Sequence, residues 1–172
     1  HDAVRDHLRV DAQVRVALEQ RDHRIRDEKL APFPRTEEAV RLHLSEYYAI
    51  ITHFDAQLGR ILEALEASGK AASTYVIFSS DHGLAVGQHG LMGKQNLYDH
   101  SVRVPLAIQG PGLPRGETRD VLCYLHDIAP TLCELADIDT PASMESKSLL
   151  PIIKNSKGEH HDAVHFVYKT FQ

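Results

Sequence analysis

The chain has 172 residues, of which 42% are hydrophobic and 25% charged, with 19 Lys and Arg against 24 Asp and Glu for a formal net charge of −5. That length and balance suit one soluble globular domain able to bury a core without staples, and they exclude a collagen-like fibre, a disulfide mini-scaffold and a disordered acidic tail. The broad basic footprint that nucleic acid or an anionic membrane demands is absent, and no apolar run is long enough to span a bilayer, so neither partner is expected.

Residues 1–35 interleave Arg and Asp, with a thin helical stripe at Val10, Val14, Leu18 and Ile25, and Pro32 and Pro34 close the segment. It reads as a charged arm or an exposed helix. A long helix follows. Thr36 is its expected N-cap, and Glu37 and Glu38 stand in the favourable first turn. Val40, Leu44, Tyr47, Ile51, Phe54, Leu58, Ile61 and Leu65 recur at alternating steps of four and three, one continuous face expected to pack on a sheet. Gly69 stands where a helix commonly stops.

Residues 74–80 form a β-branched and aromatic run that suits a buried strand of a parallel sheet. Residues 81–94 contain four glycines and two histidines and read as a loop long enough to carry function. Residues 104–109 read as another strand, ended by Gly110-Pro111-Gly112. Asp127 is an expected N-cap for a helix through Ala136, with Pro130 tolerated in its first turn. Residues 148–153 read as a short apolar turn and residues 163–169 as a late strand. Strand, loop, helix and strand in alternation argue an α/β architecture. Cys123 and Cys133, the only cysteines, read as reduced, half-buried thiols. The opening His1-Asp2-Ala3-Val4-Arg5 is polar, does not read as a leader and lacks an initiator Met, so an internal piece of a longer protein is expected. The compartment stays open, with the cytoplasm the expectation where one is drawn.

Asp81-His82-Gly83 is the sharpest local signal. In open α/β sheets ligands gather at the carboxyl ends of strands, and this tripeptide leaves its strand there. Asp supplies a hard oxygen, His a neutral nitrogen, and Gly83 allows a tight backbone path. The pair suits two ligands of a divalent cation, or a turn in which Asp81 caps local backbone groups. Two ligands cannot close a site, since calcium takes about six to eight and zinc about four. His89 can be a ligand, a substrate contact or a solvated loop histidine. Lys94 can neutralise an anionic ester oxygen as a point charge, or be a surface lysine.

Three segments in one order carry a resemblance. Ser80-Asp81-His82-Gly83, then Gly87-Gln88-His89-Gly90-Leu91-Met92-Gly93-Lys94, then Tyr98-Asp99-His100-Ser101-Val102-Arg103-Val104-Pro105-Leu106 resemble the sulfatase family of the alkaline phosphatase superfamily. The iduronate-sulfatase-like and choline-sulfatase-like bacterial members are the most similar. Glu46-Tyr47-Tyr48 through Leu62, Gly110-Pro111-Gly112 and Asp127-Ile128-Ala129-Pro130-Thr131-Leu132 extend the resemblance over about residues 36–155.

The resemblance implies part of an α/β/α sandwich on a large, mostly parallel, alkaline phosphatase-like sheet. It implies that Asp81 and His82 are two ligands of a divalent metal, usually Ca2+ in sulfatases and Mn2+ or Zn2+ in phosphoesterase-like relatives. It implies that Lys94 binds the sulfate and leaving-group oxygens; His89, from its place in the same loop, stands beside it as the second candidate catalytic residue. The implied substrate is a small-molecule or carbohydrate sulfate ester. A formylglycine hydrate attacks sulfur, the alcohol departs, and elimination of sulfate restores the aldehyde.

The chain also departs from the family pattern. The nucleophile signature Cys/Ser-x-Pro-x-Arg is absent: Cys123 is followed by Tyr124-Leu125 and Cys133 by Glu134-Leu135. The paired acids after the family's first strand and the sulfate-contacting His before the long helix are absent too. Residues 36–172 are therefore expected to be a partial sulfatase-like α/β domain without the N-terminal nucleophile region and the C-terminal subdomain, inactive alone. The alternatives are a piece of a phosphonate monoester or phosphodiester hydrolase, or a non-catalytic truncated domain. A sheet cut from a larger sandwich leaves an open edge, so a homo-oligomer is expected.

Overall fold

The computed structural model describes residues 30–31, 33–155 and 158–167. Most of the segment expected to be a charged arm, residues 1–29, lies outside the described residues. The chain divides into two compact units. One comprises the described part of His1–Ala71 together with His82–Pro105; the other comprises Ala72–Asp81 and Leu106–Val167.

The first unit is built on helix α1, Glu37–Ala67. Its start is the expected one: Thr36 is extended, and its hydroxyl accepts from the Ala39 N–H at 3.2 Å. Glu37 holds Arg41 one turn on at 2.7 Å, an exposed pair that adds only a few tenths of a kcal/mol, roughly. Ser68 ends the helix, and Gly69 follows at φ 71°. Strands β2 (Ala85–Val86) and β3 (Met92–Gly93) pair antiparallel, with Ala85 opposite Gly93 and Val86 opposite Met92. A 3-10 turn, Gln88–Gly90, joins them. The segment read as a loop is thus a small hairpin.

Val86 and Met92 form a buried cluster with Ala31, against which Leu44 and Tyr47 pack. Ala85 and Leu91 pack with Phe33. The apolar stripe of α1 is only partly used. Val40 is buried, but Ile51, Phe54 and Ile61 are 45%, 52% and 65% exposed. A 31-residue helix runs about 46 Å, and strands of two residues cover only its first turns. A four-residue helix, α2 (Asp99–Val102), closes the unit.

In the second unit, β1 (Val76–Ser79) pairs with β4 (Leu106–Gln109), in the register Val76–Gln109 to Ser79–Leu106. The pairing is antiparallel, which corrects the expectation of a parallel strand. Among the described residues both strand pairs are antiparallel. Alternation in β4, where Leu106 and Ile108 are half-buried and Ala107 and Gln109 exposed, belongs to a sheet covered on one face. The continuous apolar run at 76–78 reads equally well as either kind of strand, because partner direction is not encoded locally.

Helices α3 (Ile128–Leu135) and α4 (Leu150–Lys154) pack together in this unit. Leu149, Leu150 and Ile152 are buried. Thr131, fully buried, donates to the Asp127 carbonyl at 2.6 Å and accepts from the Leu149 N–H at 2.8 Å, fastening the two segments. The late strand expected at 163–169 is absent through Val167, and the rest of it lies outside the described residues. There the His165 N–H goes to the Tyr124 hydroxyl at 2.7 Å rather than to a ladder, and Val167 is 90% exposed. Both cysteines are free thiols, half-buried as expected. No helix among the described residues is long and apolar enough to cross a membrane.

Candidate active site

Asp81 follows β1 directly and is exposed. His82 opens the segment that returns to the first unit. Gly83 makes that return possible. Its N–H donates to the Ser101 carbonyl at 2.9 Å, and a Cβ at this position would overlap the His100 carbonyl oxygen and sit 2.9 Å from the His100 carbonyl carbon. No side chain fits between the two backbones. Gly87 is constrained in another way: φ is 99°, and a Cβ there would meet the Val40 side chain of α1.

The structure brings His82 and Lys94 together: Lys94 Nζ meets His82 Nε2. His82 Nδ1 lies 3.0 Å from the Gly83 carbonyl oxygen. A carbonyl only accepts and an ammonium only donates. One tautomer satisfies both contacts, with the proton on Nδ1 and the lone pair on Nε2. In that form Lys94 occupies the Nε2 lone pair, and a metal bound through Nε2 would displace the ammonium while the Gly83 carbonyl keeps hold of Nδ1. The two residues line a pocket of about 380 Å³ with His43, Glu46 and Tyr47 of α1 and with Met92.

His89 is placed elsewhere. It is exposed and adopts a left-handed conformation, φ 54°, and its ring stacks on Tyr98 at 4.3 Å. Tyr98 stacks in turn with His100, 5.6 Å between centroids. His89 does not line the His82–Lys94 pocket. Burial, and then the neighbouring His89, push the His100 pKa below the ordinary histidine value, and Asp99 only partly offsets them. A neutral histidine in the folded state and a more basic one in the unfolded state bind different numbers of protons. Stability from this group is therefore full above about 6.5, the unfolded value, and is lost as pH falls from there toward the folded value. Chemical unfolding across this range is expected to show wild type weakening below that pH, with His100→Gln flattening the slope.

Sequence reasoning missed two features. Arg35 is the first: it donates to the Ala31 carbonyl at 3.0 Å and the Gly90 carbonyl at 2.5 Å, and lies 4.6 Å from the centroid of the Phe33 ring. The second is in the other unit. Asp127, read as an ordinary N-cap, does not cap α3. Its backbone is already helical, and its carboxylate turns back to accept from the Tyr124 N–H at 2.8 Å and the Lys147 N–H at 3.2 Å. His160 and His161 reach the same carboxylate. The signal that could have pointed there is the doublet His160-His161 between Glu159 and Asp162. Burial alone would raise the Asp127 pKa, but these four hydrogen bonds outweigh it and hold the carboxyl below its ordinary value. Burial, and then the Asp127 charge, push the Cys123 thiol up.

The profile of the sulfatase family matches residues 19–138. Arylsulfatase K of Xenopus laevis is 35% identical over 130 residues, 76% of this chain and 24% of that protein. Among solved structures, BT4656 in complex with its substrate D-glucosamine-2-N,6-O-disulfate superposes with a TM-score of 0.67 at 29% identity. The match covers 72% of this chain and 25% of that one. The phosphonate monoester hydrolase of Agrobacterium radiobacter superposes at 0.69 with 32% identity, over 74% of this chain and 26% of that one. The fold is thus part of one shared by sulfatases and phosphonate monoester hydrolases, and the chain spans about a quarter of the length of these relatives. The order of the Asp-His-Gly, Gly-Lys and Val-Pro-Leu segments, the long helix before them and the profile match have one reading: the chain belongs to the sulfatase family.

Proposed function

We propose that this chain forms part of the metal and sulfate site of a metal-dependent sulfuric ester hydrolase. The observation that carries the proposal is that His82 and Lys94 line one pocket and meet in it, which brings a cationic side chain and a ligand-type imidazole to one place; a metal on His82 Nε2 would displace the ammonium toward the ester oxygens. Asp81 and His82 supply two ligands of a divalent cation, calcium for a sulfate ester. The bound cation would withdraw charge from the ester oxygens. Lys94 binds the anionic oxygens as a point charge, and His89, on its aromatic stack outside that pocket, is the second candidate for a substrate contact.

The nucleophile, a formylglycine, comes from outside the motifs of these 172 residues, and the chain alone does not turn over an aryl sulfate. Residues 36–172 belong to the larger α/β/α domain with its mostly parallel sheet. BT4656, a structural relative, is bound to a sulfated glucosamine, and this supports a carbohydrate sulfate ester as substrate. The match to a phosphonate monoester hydrolase supports a second reading, with manganese or zinc and a phosphonate ester.

The test is Lys94→Ala in the full-length protein that carries this sequence. Turnover of 4-nitrophenyl sulfate is expected to fall about 10²- to 10³-fold, the usual loss for one donor to a developing anion, with bound metal unchanged. Loss of metal together with turnover would make Lys94 a structural residue. Faster turnover of a phosphonate monoester than of the sulfate would favour the second reading.

A further inference from the structure

Outside the proposed ester site, the second unit holds a separate cluster of ligand-type side chains. The Nε2 atoms of His160 and His161 lie 3.1 and 2.9 Å from one oxygen, Oδ2 of Asp127. One ligand atom from each of the three residues falls within 4.8 Å of the others. The group is enclosed: the side chains of Asp127, His160 and His161 are 0%, 5% and 13% exposed.

Hydrogen bonding alone leaves this oxygen crowded. Oδ2 already accepts from the Tyr124 N–H at 2.8 Å. A carboxylate oxygen presents about two lone pairs, and two imidazole N–H groups would bring the donors to three. The other oxygen, Oδ1, accepts from the Lys147 N–H at 3.2 Å. A cation in place of both imidazole protons resolves the count: Tyr124 keeps one lone pair of Oδ2, and the second, with both Nε2 lone pairs, faces the ion. Zinc bonds of about 2.0–2.1 Å would set tetrahedral ligand atoms roughly 3.3 Å apart, close to the two oxygen–nitrogen separations found. The Lys147 ammonium is engaged by the His160 carbonyl at 3.3 Å.

The geometry points to a second metal site, Asp127–His160–His161, that takes a zinc-class divalent ion and ties the 160–161 segment to the start of α3. Two nitrogens among three ligands suit zinc and disfavour calcium, which takes oxygen. Three protein ligands leave one tetrahedral position for water.

Chelator-stripped chain, titrated with zinc alone by calorimetry and with cobalt(II) by visible absorption, tests this. One equivalent is expected, with the strong absorption of four-coordinate cobalt and a rise in melting temperature as metal is added. His161→Gln keeps a donor for Asp127 but removes the imidazole lone pair, so it should fold, lose the cobalt spectrum and weaken zinc at least tenfold. Asp81→Ala should leave both readouts unchanged, which separates this site from the proposed ester site. No binding by wild type, or the same cobalt spectrum in His161→Gln, would overturn the assignment.

Discussion

Gly83→Ala is expected to unfold or misplace the segment that carries His82, with a loss of about 3 kcal/mol or more in chemical denaturation. The added methyl overlaps the His100 carbonyl. Overpacking against side chains costs about 1–3 kcal/mol because they can rotate away, whereas a backbone carbonyl has no rotamer to offer. The Gly83–Ser101 hydrogen bond at 2.9 Å is lost in any relaxation that relieves the overlap. Gly59→Ala is the control. It lies inside α1 with open space around it, and there alanine should stabilise by roughly 0.5–1 kcal/mol. Equal and small effects at both positions would mean that the 82–84 segment does not hold this path.

The second large effect is expected at Asp81. In the full-length protein, Asp81→Ala should remove the bound divalent metal and lower turnover by about 10³-fold or more, the scale of several kcal/mol of charge stabilisation. Metal content by elemental analysis and the rate on 4-nitrophenyl sulfate should fall together. The side chain is exposed, so the melting temperature of the metal-free protein should scarcely move. An active variant with its full metal complement would take Asp81 out of the ligand set.

What could be read from the sequence divides by the range of the interactions involved. The start of α1 was legible because Thr36, Glu37 and Glu38 act within one turn, and its length because the stripe repeats locally. How much of that stripe is covered was not legible, since Ile51, Phe54 and Ile61 depend on what lies opposite. The strands at 76–79 and 106–109 were both visible, but that they pair with each other, and antiparallel, was not. His82 and Lys94 were each singled out, and the hairpin between them brings them together. Asp127 was misread because its local context, an acid before a helix, is that of a cap. Three of its four partners stand 20 to 34 residues away, and no pattern at helical or strand spacing records them.

Arg35 has a consequence for how this protein can diversify. Its guanidinium grips main-chain oxygens, those of Ala31 and Gly90, and such acceptors survive almost any exchange of the side chains beside them. Substitutions at the exposed His89 can alter what the hairpin turn touches while its anchorage stays intact. The tip is then open to drift, while the fastening beneath it does not depend on the side chains exchanged there.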